Sequence, residues 1–287
     1  MRVVDRFEAG TALLAGIVLI AVEAGVLVSD PAQVGHGGAG KTRTGLTGLI
    51  SKILRTDPDS LDISGSVYGG YTVAHNSDVI LQQPNGTDMV LRDMSWNSEP
   101  DKMPPYHGFR GTWWLPFRSS LGAMADLVYV KVVADRDRMV HQSGTRDGMP
   151  VHEMELASAT FRRLEFTDGL NLLSGNLVYR MPYFGRVIPY FGIGAGFSLP
   201  HAEVQRRSVT SQKTFSFQLA GITLHLFAGM ELYVAKSGSV FTEYRLSYAT
   251  NKVQLIDGGT LQTNLWINHF TAGGSGNIRP ALAQPVK

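Results

Sequence analysis

Cysteine is absent from this chain of 287 residues, which excludes a disulfide framework and a zinc–thiolate site. Charge is scarce: Asp, Glu, Lys and Arg make up 17% of the residues, against about 25% in soluble domains. The formal net charge is only +2, so the charge balance gives no reason to expect nucleic acid. Beyond the N-terminus no apolar run reaches the roughly 18 residues that a membrane helix requires. Glycine, by contrast, is plentiful at 32 residues, and the mean hydropathy is −0.02. Helical membrane proteins and disordered chains both fit this combination poorly. A transmembrane β-barrel fits it, because a lipid-facing surface and a polar lumen average out in any hydropathy window.

What is present supports that reading. From Gln218 to Val234 the even positions include Leu224, Leu226, Met230 and Leu232, and the odd ones Thr223, His225, Glu231 and Tyr233. The alternation resumes after Ala235-Lys236-Ser237-Gly238, with Val240, Thr242, Tyr244, Leu246 and Tyr248 on one face. Phe241, Glu243, Arg245, Ser247 and Ala249 lie on the other. A period of two is a strand signal; a helix would scatter these residues around its circumference. The linking tetrapeptide has tight-turn composition. Each run is long enough to cross a bilayer as a tilted strand.

Six further strands follow from the same pattern, at 63–73, 107–115, 121–133, 169–181, 187–199 and 260–272. Short links at 116–120, 182–186 and 235–238 alternate with long ones at 75–106, 134–168, 200–216 and 250–259. Outer-membrane barrels have short periplasmic turns and long external loops, so the expected fold is an all-β, eight-stranded antiparallel transmembrane barrel. The strand-like segment 89–96 belongs to the first external loop on this count. Trp113, Trp114, Tyr129, Tyr190 and Tyr248 are expected at the membrane interfaces.

At the N-terminus, Arg2 and Arg6 precede an apolar run at 12–22, and Val22-Glu23-Ala24 offers a small-residue cleavage site. Residues 1–24 read as a signal peptide, the rival being an anchor running to Val28. Residues 25–60 read as a flexible periplasmic linker, 61–272 as the barrel and 273–287 as a C-terminal tail. The linker contains Gly35-His36-Gly37-Gly38-Ala39-Gly40-Lys41-Thr42, which matches the phosphate-loop pattern. Pro31 and a polar stretch separate its glycines from the preceding apolar run, and no alternating strand and helix pattern follows, so a chance match is expected, with no nucleotide bound.

Eight strands leave a lumen just wide enough to be filled by side chains. Inward Arg110, Asp126, Arg180, His225, Glu231, Glu243 and Arg245 are expected to neutralise one another there. At the external rim, His75 ends the first strand and Asp168-Gly169-Leu170-Asn171 opens the fourth. Pro200-His201-Ala202-Glu203 ends the fifth, and Asn251 ends the seventh. Imidazole with carboxylates can ligate a divalent metal or act as a general acid–base pair; solvated loop starts are the plain alternative. Asp168, His201 and Glu203 are the candidate catalytic and metal-binding residues, and His75, Arg110, Asn171 and Asn251 the candidate substrate contacts. His201 and Glu203 continue the outward positions of their strand, so Pro200, which disrupts pairing, is expected to turn them toward the rim.

Several segments resemble the outer-membrane lipid A oxidases. They are His75-Asn76-Ser77-Asp78, Pro104-Pro105-Tyr106-His107-Gly108-Phe109-Arg110-Gly111-Thr112-Trp113-Trp114 and Leu164-Glu165-Phe166-Thr167-Asp168-Gly169-Leu170-Asn171. Pro189-Tyr190-Phe191-Gly192-Ile193-Gly194-Ala195-Gly196, Pro200-His201-Ala202-Glu203-Val204, Glu243-Tyr244 and Ser247-Tyr248 complete the set. The resemblance implies a monomer in the outer membrane of a Gram-negative bacterium, with lipid A or lipopolysaccharide as its partner. It implies oxidation of the proximal glucosamine of lipid A to 2-aminogluconate by molecular oxygen, with a divalent metal as cofactor. A non-enzymatic small barrel serving envelope integrity or adhesion is the alternative, and a lipid A deacylase or acyltransferase a further one.

Overall fold

The computed structural model describes residues 62–98, 105–115, 118–182, 184–208, 211–235 and 237–279. Side chains at 118–119, 167–168 and 278–279 are outside the description. The expected signal peptide, the linker with its glycine-lysine motif and residues 280–287 also lie outside the described residues.

All eight expected wall strands are present. They are β1 (Asp62–Ala74), β5 (His107–Leu115), β6 (Arg118–Ala134), β10 (Phe161–Arg180), β11 (Val187–Arg206), β13 (Gly221–Ala235), β14 (Gly238–Gln254) and β15 (Thr260–Arg279). Each pairs antiparallel with the next, and β1 pairs with β15 to close the ring. Closure satisfies every strand edge within the ring, the condition for a sheet to sit in hydrocarbon. The faces follow the alternation: Val67, Tyr71, Leu224, Leu226, Met230 and Tyr244 are exposed, whereas Ser64, Ser66, Tyr68, Thr223, His225, Glu243 and Arg245 are buried. An apolar exterior around a closed antiparallel ring is the architecture of outer-membrane barrels. The chain is a small outer-membrane β-barrel.

Two expectations about the wall are corrected. Trp114 and Tyr190 point into the lumen and are buried, because each falls on the inward parity of its strand. Tyr248 packs on Trp266 at 4.8 Å and Tyr129 stacks on His107 at 5.0 Å, forming the external aromatic belt. The second correction is that β15 runs to Arg279 and pairs with both neighbours through Gly273, Gly274 and Ser275. That stretch carries no apolar alternation and so reads as a tail.

The long external connections are themselves largely strands: β2 (Ser77–Gln83), β3 (Thr87–Met94), β4 (Trp96–Ser98), β7 (Met139–Arg146), β8 (Met149–Pro150), β9 (Met154–Leu156) and β12 (Thr214–Phe217). Segment 89–96 thus lies outside the wall, as expected. β2 pairs with the top of β15, β3 with β2, and β7 with β3, so the wall rises on one side as a continuous external sheet. The inner face of that sheet carries Val79, Leu81, Met89 and Leu91. These join Val253, Leu261, Leu265 and Ile267 in one buried cluster. The external half of the interior is therefore packed with apolar side chains.

Candidate functional site

Two places concentrate polar chemistry, one inside the wall and one on it. Inside, five strands send charged or phenolic side chains to the middle of the lumen. Arg110 of β5 forks onto Glu243 of β14, with Nη1 and Nη2 donating to the two carboxylate oxygens at 2.7 and 3.0 Å. Arg245 donates to Glu243 through Nε at 3.2 Å and Nη2 at 3.0 Å, and also to Asp126 of β6. Tyr68 donates to Asp126 at 2.6 Å and Tyr190 to Glu243 at 3.0 Å. Arg110 lies over the rings of Tyr68 and Phe241, at 4.5 and 4.8 Å from their centroids. Two guanidinium groups thus face two carboxylates, all of them buried, which is the condition for retaining charge in a low-dielectric interior.

The other inward charges find separate partners. Arg180 pairs with Asp62 at 3.2 Å, and Ser239 donates to Glu231. His225 Nδ1 meets Ser247 Oγ at 2.7 Å, and His269 Nδ1 meets the Tyr106 hydroxyl at 3.1 Å. On one side of the network a cavity of about 30 Å³ is lined by Ser64, Ser66, Arg110, Thr112, Glu231 and Ser275, among others. That is room for a water or two and no larger ligand. The polar network and the apolar plug together obstruct the lumen.

On the wall, β11 continues straight through Pro200 to Arg206, so the expected turn is absent. Pro200 is tolerated because it pairs with Leu170 beside a bulge in β10, a setting where a missing N–H costs little. His201 and Glu203 therefore stay on the outward parity, yet both are buried. Phe215 and Phe217 flank the His201 ring, at 4.2 and 4.4 Å between centroids. Lys213 reaches Glu203 at 2.9 Å and Arg163 reaches it at 3.4 Å.

The remaining expected site residues are scattered. Residues Thr167 to Gly169 occupy the β10 bulge, across from His201 in the register, but the Asp168 side chain is outside the described residues. Asn171 lies on the outward parity of β10 and donates to the Gly169 and Leu199 carbonyls. Asn251 is buried on the inner face and accepts from Ser198 at 2.6 Å. His75 is exposed and accepts from Asn268 Nδ2 at 2.6 Å, and Arg110 belongs to the lumen network. The four candidate substrate contacts therefore share no common surface. Among the described residues no group of three or more His, Asp or Glu side chains is placed to hold a metal. Glu203 is engaged by two cations, Lys213 and Arg163.

Sequence reasoning missed the roles of Tyr68 and Tyr190 in the network. The detectable signal was their inward parity among small residues: Gly108 lies so close to Tyr68 that a Cβ there would sit 2.1 Å from the ring.

No family model matches the chain, and no curated protein does. Solved structures that align with it include Neisserial surface protein A, at 13% identity over 76% of this chain and 97% of that one, with a TM-score of 0.38. The outer membrane protein OprG from Pseudomonas aeruginosa aligns at 10% identity over 75% and 93%, with a TM-score of 0.37. The outer membrane protein AlkL aligns at 13% identity over 87% and 99%, with a TM-score of 0.38.

Proposed function

We propose that this protein serves the envelope as an obstructed, non-enzymatic outer-membrane barrel, contributing integrity or adhesion through its wall and external sheet. The cross-lumen network of Arg110, Glu243, Arg245 and Asp126 carries this reading. It fills the space through which a pore would run, and its four charges satisfy one another rather than a ligand. The apolar plug above it supports the same reading. Purified protein in planar bilayers is expected to show no discrete conductance steps. Lipid A from cells with and without the gene is expected to have the same masses. Regular conductance steps, or a gene-dependent mass change, would overturn the proposal.

A second reading is lipid A oxidation on the outer wall. It is supported by the sequence resemblance and by the position of His201 and Glu203 on the lipid-side parity of β11. In that reaction C1 of the reducing sugar gives two electrons and two protons to oxygen, forming hydrogen peroxide. The resulting lactone takes up water to become 2-aminogluconate, so lipid A gains one oxygen. A divalent metal enters this reading through the resemblance and through the imidazole and carboxylate donors of His201, Glu203 and Asp168. Gene-dependent gain of one oxygen, abolished by His201→Ala in a normally assembled barrel, would establish it. A mass change of a whole acyl chain would point to acyl chemistry instead.

A further inference from the structure

The outward face of the external sheet holds an arrangement that neither the lumen nor the His201 patch explains. Gln254 of β14 pairs with Thr260 of β15, Thr260 with Gln82 of β2, Gln82 with Asp88 of β3, and Asp88 with Thr145 of β7. Directly paired residues share a face, so amide, hydroxyl, amide, carboxylate and hydroxyl stand side by side. They are one strand spacing, about 4.8 Å, apart. The adjacent inner rung is Val253, Leu261, Leu81 and Met89, all buried. That apolar rung holds the outer one on a rigid support. Gln82 Nε2 already donates to Asp88 Oδ1 at 3.2 Å, fixing two of the polar groups. Gln82, Gln83, Thr87, Asp88, Lys252 and Thr260 line an open groove of about 440 Å³.

We infer that this rung is a binding face for the saccharide portion of an outer-leaflet glycolipid. Its chemistry suits a hydroxyl-rich, uncharged chain, because amides and a carboxylate offer donors and acceptors in a row. The charges on the same face, Asp78, Asp88 and Asp93 against Arg92 and Lys252, leave it slightly acidic, so a polyanion gains nothing there. The position identifies the source of the saccharide. β14 and β15 run without a break from the lipid-facing wall into the rung. The rung lies six residues beyond the Tyr248–Trp266 belt pair, roughly 20 Å along the strand. At the tilt of about 40° of such strands this is a height of about 15 Å, past the lipid head groups, where sugars of the same lipids extend outward. The inference is independent of whether the His201 patch turns over lipid A.

The test uses the full chain folded in detergent micelles and the oligosaccharide released from lipopolysaccharide by mild acid, which leaves lipid A behind, then dephosphorylated and carboxyl-reduced so that the probe is uncharged. Saturable binding is expected, weakened by at least about tenfold in the triple variant Gln82→Ala, Asp88→Ala and Thr260→Ala, since several hydrogen bonds of about 1 kcal/mol are lost. Heat-modifiable mobility of the variant should match that of the parent, because only exposed or half-exposed side chains change. Absence of saturable binding by the parent protein, or equal binding by the triple variant, would overturn the inference. So would binding of intact lipopolysaccharide with none of the released oligosaccharide, which would assign recognition to the lipid A portion.

Discussion

Removing the charge of Glu243 is the sharpest perturbation the lumen allows. Its carboxylate accepts from five donors: two nitrogens of Arg110, two of Arg245 and the Tyr190 hydroxyl. Glu243→Gln keeps the shape but leaves two buried guanidinium groups facing the single carboxylate of Asp126. Breaking a buried pair by removing one partner costs about 3–5 kcal/mol, since the surviving charge has no water to turn to. Taking out an opposing pair together is much milder. Arg110→Met combined with Glu243→Leu leaves Arg245 matched to Asp126 and should lie closer to the parent than Glu243→Gln does, the remaining cost being the Tyr190 hydroxyl and the Arg245 Nε–H, which lose their acceptor. The assay is equilibrium urea unfolding in micelles, followed by tryptophan fluorescence and by heat-modifiable mobility. If Glu243→Gln unfolds within about 1 kcal/mol of the parent, or if the double variant is the less stable of the two, the network is not the charge-balanced element described here.

Three further outcomes are expected. Met230→Arg places a cation on the exposed lipid face six residues below the level of Leu224 and Tyr248 and should cost about 2–4 kcal/mol, measured by the same unfolding assay; Leu224→Arg, level with Tyr248 of the belt, should cost less. Gly108→Ala drives a methyl group into the Tyr68 ring. It should destabilise by about 1–3 kcal/mol, with loss of the Tyr68–Asp126 bond visible as a shifted tyrosine hydroxyl resonance. Gln218 bridges to the Gln254 backbone with both ends of its amide, at 2.8 and 2.9 Å, where the β13–β14 ladder has stopped. Gln218→Ala should speed hydrogen exchange at the Gln254 amide by about fivefold, as the bond of about 1 kcal/mol that this amide makes to Gln218 is lost, while the global unfolding midpoint stays put.

The strands and their faces were legible in the sequence because the bilayer imposes one rule on every wall segment: apolar outward, polar or small inward. Val67, Leu224 and Tyr244 on one side, and Tyr68, Thr223 and Glu243 on the other, obey it without reference to any neighbour. Loop lengths added the strand count and kept segment 89–96 out of the wall. Where a residue has no face to declare, as at Gly273 and Gly274, the rule is silent and the end of β15 was missed. The partners inside the lumen depended on tertiary structure alone. Arg110 and Glu243 are 133 positions apart in sequence, and strand tilt and stagger decide which inward residues share a level. The same holds for the wall patch. Parity placed His201 and Glu203 outward, but only the pairing of β11 with β12 buried them beneath Phe215, Phe217 and Lys213. Alternation is a property of one strand and survives in its sequence; which strand lies beside it, and in what register, is written in the closed ring.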